Sequence, residues 1–282
     1  MQQHQSILGY KNGRHLKLAL VLCAAAIGAY AWYEPPLVYL KPYGGTWLGY
    51  TLGTIGAILI LWLMLLGIRK RRYRFGIGSV QGWTSAHVAL GTSLLIVVSL
   101  HCAFEFGWNI HTLAYAFMVA VIVSGFFGIY AYLRYPELMT RNLGNETIET
   151  MLLSITDLDR KCRRIALDLP DEFNAVIAKA SRAVARDTGS RGRLWWLGPV
   201  KCPNLTACEK LAELGQKLSG EQAKLNQQLL TEMTRKRAIT DRVRRDFRFR
   251  ALFQLWLFFH VPLSFALLAA LIAHVVSVFY FW

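Results

Sequence analysis

Four of the seven histidines lie inside strongly apolar stretches of the chain, and they form two pairs with the same spacing. His87 and His101 are fourteen residues apart, and so are His260 and His274. At about 100° per residue, fourteen steps along an α-helix return to within roughly 40° of the starting face. At about 1.5 Å per residue, the two histidines of a pair are separated by roughly 21 Å along the helix. Each pair therefore predicts two imidazoles on one side of a helix, one near each membrane face.

Imidazole rings at these positions suit metal coordination. Ionisable or ligating side chains at membrane depth are uncommon and indicate a functional role. The two members of one helical pair are too far apart to share an ion, so each needs a partner from another helix. Two such helices facing each other would offer two bis-histidine sites at matching depths. An iron held by two imidazoles has no open position, which favours electron transfer over oxygen activation. The alternative is that the four histidines are unrelated packing residues that hydrogen-bond within the bundle.

The apolar stretches that carry the histidines are long enough to cross a bilayer. The chain has 282 residues, of which 54% are hydrophobic, and runs of about 18 or more apolar residues are typical of membrane spans. Although the first of them could be a cleaved secretory signal, its continuation through Trp32 and Tyr33 favours a retained span, because aromatic residues suit the membrane interface. Five such stretches are present, at roughly 17–34, 47–68, 85–104, 112–133 and 251–281.

The distribution of charge predicts the topology. The formal net charge is +15, and the basic residues concentrate before the first span, after the second and between the fourth and fifth. The intervening loops carry only Glu34, Lys41 and Glu105. By the positive-inside rule, the N-terminus and the segment 134–250 are cytoplasmic, and Trp282 lies on the outer face. We therefore expect a protein of the bacterial inner membrane, whose charge reports topology and contact with anionic lipid rather than nucleic-acid binding.

These patterns predict an all-α, polytopic membrane helical bundle with a helical cytoplasmic insertion. Residues 1–133 would form the first four spans, residues 134–250 the insertion, and residues 251–282 the fifth span, which completes the bundle. Within the insertion, the spacing of apolar residues predicts one amphipathic helix before Leu169, another near 171–186, and a long helix or hairpin from about 206 onward.

A ridge of small residues opens the second span. Gly45, Gly49, Gly53 and Ala57 recur at intervals of four, which permits close contact between helix backbones. Packing within one chain is the preferred interpretation, and a dimer interface is the alternative.

The topology also predicts how the histidines pair. The third and fifth spans both begin in the cytoplasm, so they run parallel. His87 would then face His260 near the cytoplasmic side, and His101 would face His274 toward the outer side.

Two spans of the form His-x13-His in one bundle resemble the dihaem core of cytochrome b in respiratory and photosynthetic quinol complexes. They resemble equally the transmembrane domain of ferric reductases and NADPH oxidases. The sequences around the pairs are similar to those of small bacterial cytochromes b: His87-Val-Ala-Leu-Gly91, Ser124-Gly125-Phe126-Phe127-Gly128 and His260-Val-Pro262. The resemblance covers the membrane part of the chain and implies two haem b groups held by the four histidines.

The resemblance has two departures, which limit the activity that it implies. Oxidase-type reductases append a flavin- and nicotinamide-binding domain, whereas this sequence stops directly after the fifth span. Quinol complexes have no comparable insertion between the ligand-bearing spans. We therefore expect an electron-transfer subunit rather than a complete enzyme, linking the quinone pool to a separate redox protein such as a cytochrome or an iron–sulfur protein.

Weaker signals leave further hypotheses open. His111 and Glu105 flank the outer loop and would suit a quinone site, where a base and a carboxylate take up or release protons; ordinary loop polarity is the alternative. A different function class is a transporter whose histidines relay protons or metal ions, which predicts acidic partners inside the spans. Another is a haem-containing assembly or sensory protein, in which the insertion binds partners.

Overall fold

A computed structural model describes residues 9–34, 43–71, 78–189 and 202–280. These ranges contain helices and no strand, so the predicted all-α class is confirmed. Lys41 and Trp282, which entered the topology prediction, lie outside the described residues. In chain order the helices are α1 (Arg14–Trp32), α2 (Trp47–Arg71), α3 (Val80–His101), α4 (Ile110–Leu143), α5 (Ile148–Ala166), α6 (Asp171–Gly189), α7 (Pro203–Gly215) and α8 (Gly220–Tyr280).

Five helices are long and apolar enough to cross a membrane, namely α1, α2, α3, α4 and α8. The chain is thus an integral membrane protein with five candidate spans, as the apolar stretches predict. Two of these helices extend well past their apolar stretch, because α4 continues through Pro136 to Leu143 and α8 runs for 61 residues. Ion pairs one turn apart accompany the polar extension of α4, where Glu137 lies 3.6 Å from Arg134 and 2.8 Å from Arg141. Hydropathy therefore marks the apolar part of these helices, not their ends.

The chain divides into two compact units. Unit 1 comprises residues 1–130 and 256–282, and unit 2 comprises residues 131–255. Both α4 and α8 contribute one part to each unit.

In unit 1, α3 packs closely on α1 and α2. Small residues permit the close approach of α2 to α3. A Cβ added at Gly56 would lie 3.0 Å from Val98 Cγ2, and one added at Gly53 would lie 2.7 Å from His101 Cε1. The predicted packing of the small-residue ridge within the chain is confirmed at Gly53. A buried cluster that includes Ile60, Leu90, Leu94, Met118 and Leu267 joins α2, α3, α4 and α8.

The ends of α3 and α4 are fixed by local hydrogen bonds. Ser79 caps α3, since its hydroxyl accepts from the Gly82 amide at 3.1 Å. After His101 the chain turns through Ala103 and Phe104, whose φ angles are 49° and 59°. Asn109 Oδ1 then accepts from the Thr112 amide at 2.9 Å, at the start of α4. These turns set His101 at the last residue of α3 and His111 in the first turn of α4.

Unit 2 has its own core, which lies between α5, α6, α7 and the first part of α8. Phe173, Ile177, Leu211, Leu229 and Met233 are almost fully buried there. Helices α5 and α6 and the α7–α8 hairpin confirm the helices predicted for the insertion.

A buried lysine of unit 2 forms an ion pair. Lys236 is 1% exposed, and its Nζ donates to Asp159 Oδ1 at 2.5 Å. The Ser181 hydroxyl and Arg163 Nε also donate to this carboxylate. Burial raises the pKa of Asp159, but the hydrogen bonds from Lys236, Ser181 and Arg163 outweigh burial and hold the pKa below its usual value. The carboxylate is therefore ionised in the folded protein at neutral pH.

Candidate functional site

The four spaced histidines all lie in unit 1, two on α3 and two on the last part of α8. Each is half-buried. His87 lies two turns into α3 and His101 ends that helix, while His260 and His274 lie on the apolar part of α8.

At one end of unit 1, His101 lies close to His274. Their ring centroids are 6.0 Å apart and their planes are inclined at 89°. His111 joins this end of the site, because its ring centroid lies 4.6 Å from that of His274 and the two rings share a hydrogen bond between their Nδ1 atoms. The structure thus brings together three histidines from three different helices.

His87 precedes His101 on α3 and His260 precedes His274 on α8, so His87 and His260 both lie on the far side of a shared buried cluster from the His101–His274 contact. The order of the histidines is therefore the same along both helices, so α3 and the end of α8 run parallel in unit 1. Leu94 of α3 and Leu267 of α8, each midway between the histidines of its own helix, belong to one buried cluster.

Two of the histidines hydrogen-bond to backbone carbonyls of α2. His87 Nδ1 lies 3.0 Å from the Leu63 oxygen, and His101 Nδ1 lies 2.8 Å from the Gly49 oxygen. A carbonyl oxygen only accepts, so Nδ1 carries the proton in both rings. In the neutral imidazole, Nε2 then keeps its lone pair and is the nitrogen able to bind a metal.

His260 has the same tautomer for a different reason. Its Nδ1 lies 2.7 Å from the Ser124 hydroxyl oxygen, which itself donates to the Val121 carbonyl at 2.7 Å. A hydroxyl has a single proton. Since that proton goes to Val121, Ser124 accepts from His260, and Nε2 of His260 is again left with the lone pair.

Trp256 supports this arrangement from one turn earlier on α8. Its indole Nε1 donates to the Ser124 carbonyl at 2.8 Å, and its ring lies 5.1 Å from the His260 ring. The indole packs directly over Gly128 of α4, where any Cβ would clash with it. Gly128 therefore creates the space that Trp256 needs in order to hold Ser124 and His260 in place.

Gly53 has the same function for His101. A Cβ at this position would lie 2.7 Å from His101 Cε1 and 2.9 Å from His101 Nδ1, well inside the contact distance of about 3.5–4.0 Å between carbon atoms. Only glycine lets α2 approach closely enough for the Gly49 carbonyl to reach His101.

The structure places the His274 imidazole beside those of His101 and His111. Among the described residues, no group of three or more His, Cys, Asp or Glu side chains is arranged to hold a metal ion. Glu105, the other residue of the predicted quinone site, is exposed in the turn before α4, whereas His111 lies against His274.

Several residues of this site are absent from the sequence prediction of its ligands. The carbonyls of Leu63 and Gly49 give no signal in a sequence, because every residue has one. Ser124 and Gly128 belong to the segment quoted for its resemblance to small bacterial cytochromes b, but only the structure assigns Ser124 to His260. The partnership of His111 with His274 depends on tertiary structure alone.

No protein-family model, no curated protein and no solved structure matches this chain.

Proposed function

We propose that the protein transfers electrons across a membrane through two b-type haems, one between His87 and His260 and one between His101 and His274. The observation that carries the proposal is the 6.0 Å separation of the His101 and His274 ring centroids.

At this separation, His101 and His274 would be able to hold one metal between them. A bond from a metal to an imidazole nitrogen is about 2.0 Å long, and the ring centroid lies about 1.1 Å beyond that nitrogen. Two imidazoles that held one metal between them would therefore have centroids about 6 Å apart, close to the observed distance.

The Nδ1 hydrogen bonds also support the proposal. Histidines that bind metals almost always donate their second ring N–H to a carbonyl, a carboxylate or another acceptor, which fixes the tautomer and the ring orientation. Such an acceptor lies at Nδ1 of His87, His101 and His260. A set of unrelated packing histidines would not need the same nitrogen engaged in each case.

Haem supplies reversible one-electron reduction when it is bound. The chain would contribute the two imidazoles of each pair, the acceptors that set their basicity, and an apolar surround that keeps water away. The two proposed haem sites are fourteen residues apart on both helices, or roughly 21 Å. This spacing suits electron transfer from one membrane face to the other.

The proposed partners follow from the topology that the charge distribution predicts. We place the N-terminus and unit 2 in the bacterial cytoplasm and the end of α8 at the outer face of the inner membrane. One face would exchange electrons with membrane quinone, and the other with a separate redox protein such as a cytochrome or an iron–sulfur protein. His111 and Glu105 remain the candidate quinone residues, at the same end as His101 and His274.

Pairwise substitution tests both the haems and their pairing. A His87→Ala/His260→Ala double variant removes both ligands of one site, so we expect it to retain one haem per chain. A His87→Ala/His274→Ala variant damages both sites and should retain none. His15→Ala is the matched control, because His15 is a helical histidine of unit 1 outside the pairs, and it should retain two haems. Equal haem content in the two double variants would refute the pairing.

A further inference from the structure

The fourth ligand histidine differs from the other three in the partner of its Nδ1 atom. His87 and His101 are bonded to backbone carbonyls, and His260 is bonded to a hydroxyl. The partner of His274 is instead the Nδ1 atom of another imidazole, that of His111.

This hydrogen bond has a required direction if His274 binds iron. If His111 donated the proton, neutral His274 would carry its own proton on Nε2, and no lone pair would remain there for a metal. His274 Nδ1 must therefore donate and His111 Nδ1 must accept. His111 then carries its proton on Nε2, which leaves that N–H able to meet a quinone.

We infer that His111 is a positioning residue for His274, and that its imidazole nitrogen makes the His101–His274 haem harder to reduce than a carbonyl partner would. This inference rests on the proposed dihaem function.

The chemical reason is the basicity of the acceptor. The lone pair of an imidazole nitrogen is more basic than the oxygen lone pairs of an amide carbonyl or a hydroxyl, so it is the stronger hydrogen-bond acceptor. A stronger acceptor draws the Nδ1 proton further from His274 and makes that ring a stronger electron donor. Extra electron density from the ligand stabilises ferric iron over ferrous iron, and the reduction potential falls.

The protein holds His111 firmly enough for this role. His111 lies in the first turn of α4, which is capped by Asn109 through the Thr112 amide at 2.9 Å. The Thr112 hydroxyl in turn accepts from the Gly107 amide at 3.0 Å. The loop before α4 is thereby tied to the helix that presents His111, and the His111 ring contacts His274 at a centroid distance of 4.6 Å.

The test uses the full-length protein carrying His87→Ala and His260→Ala, which should hold only the haem in question. In that background, His111→Ala is expected to raise the ratio of ferrous to ferric haem at a fixed ambient potential about tenfold, equivalent to about 59 mV for a one-electron couple. His111→Gln restores a carbonyl acceptor. Its reduction potential should therefore lie between that of the protein with His111 and that of His111→Ala. His15→Ala, at a helical histidine of unit 1 outside the pairs, should leave the potential unchanged.

The outcomes separate this inference from the dihaem proposal. An unchanged potential in His111→Ala, with the haem still bound, would overturn the role of His111 and leave the two haems standing. If His111→Ala loses the haem, His111→Gln decides: retention at an intermediate potential supports the inference, and loss overturns it. Absence of haem from the protein with all its histidines would instead refute the proposed function.

Discussion

Substitution of Gly53 by alanine should selectively damage the His101–His274 site. The added Cβ would lie 2.7 Å from His101 Cε1 and 2.9 Å from Nδ1. Normal contact between carbon atoms is about 3.5–4.0 Å, so the ring must move by roughly 1 Å. The Gly49 carbonyl accepts from His101 at 2.8 Å, and a shift of that size is enough to break such a bond.

The expected cost follows from what the displaced ring loses. Loss of an outer partner of a metal ligand typically lowers metal affinity about 10-fold to 100-fold, or roughly 1.4 to 2.8 kcal/mol. We therefore expect Gly53→Ala to bind the His101–His274 haem at least about tenfold more weakly, and Gly53→Val more weakly still. The His87–His260 haem should be retained, because its ligands do not contact Gly53.

The same helix provides the matched control. A Cβ at Gly67 meets nothing within 4 Å, so Gly67→Ala should keep both haems and stabilise α2 by up to about 1 kcal/mol through helix propensity. The assay is haem per chain in detergent-purified protein, with a redox titration to identify which haem is lost. If Gly53→Ala retained two haems with unchanged potentials and affinities, the inferred close fit of Gly53 against His101 would be wrong.

Three further predictions concern other parts of the chain. Glu105→Gln should slow reduction of the haems by an added quinol and leave haem content unchanged; an unaltered rate would remove Glu105 from the quinone site. Asp159→Ala should destabilise unit 2 by about 3 kcal/mol, because it leaves the ammonium of Lys236 buried and unpaired, whereas Lys236→Met should cost less because Asp159 keeps its other donors. Because the folded-state pKa of Asp159 is lowered, its contribution to stability is present above the unfolded pKa of about 3.9 and is lost as pH falls through the folded value. The stability difference between the wild type and Asp159→Ala, followed by circular dichroism, should therefore shrink as pH falls through this range, and an identical acid dependence of the two proteins would contradict this. Cys162 is fully buried, and burial raises its pKa to about 11, so iodoacetamide should modify it only when unit 2 unfolds, and rapid labelling of the native protein at neutral pH would refute the packing of α5.

The sequence predicts the helical class and the membrane spans because both depend on local patterns. Apolar runs of span length and amphipathic spacing in the insertion are visible without tertiary structure, and α5 and α6 form where that spacing predicts them. The ends of α4 and α8 are less predictable. Charged residues can end a membrane span yet continue a helix, as Glu137 does with its ion pairs to Arg134 and Arg141.

The candidate site also has a part that the sequence predicts and a part that it does not. The identity of the candidate ligands can be read from a repeated interval of fourteen residues, since helical geometry converts that interval into a shared face. The partners of the ligands cannot be read in this way, because they come from other helices. The Gly49 carbonyl reaches His101 only through the approach of α2 at Gly53, and His111 reaches His274 across more than 160 residues of sequence.

The haem content of the purified wild-type protein tests the central claim most directly. Protein from haem-replete cells should be analysed in detergent by the pyridine haemochrome method and by a dithionite-reduced minus oxidised spectrum. We predict two b-type haems per chain, with the spectrum of six-coordinate, low-spin iron. A colourless protein would contradict the account and would favour a transporter in which the histidines relay protons or metal ions.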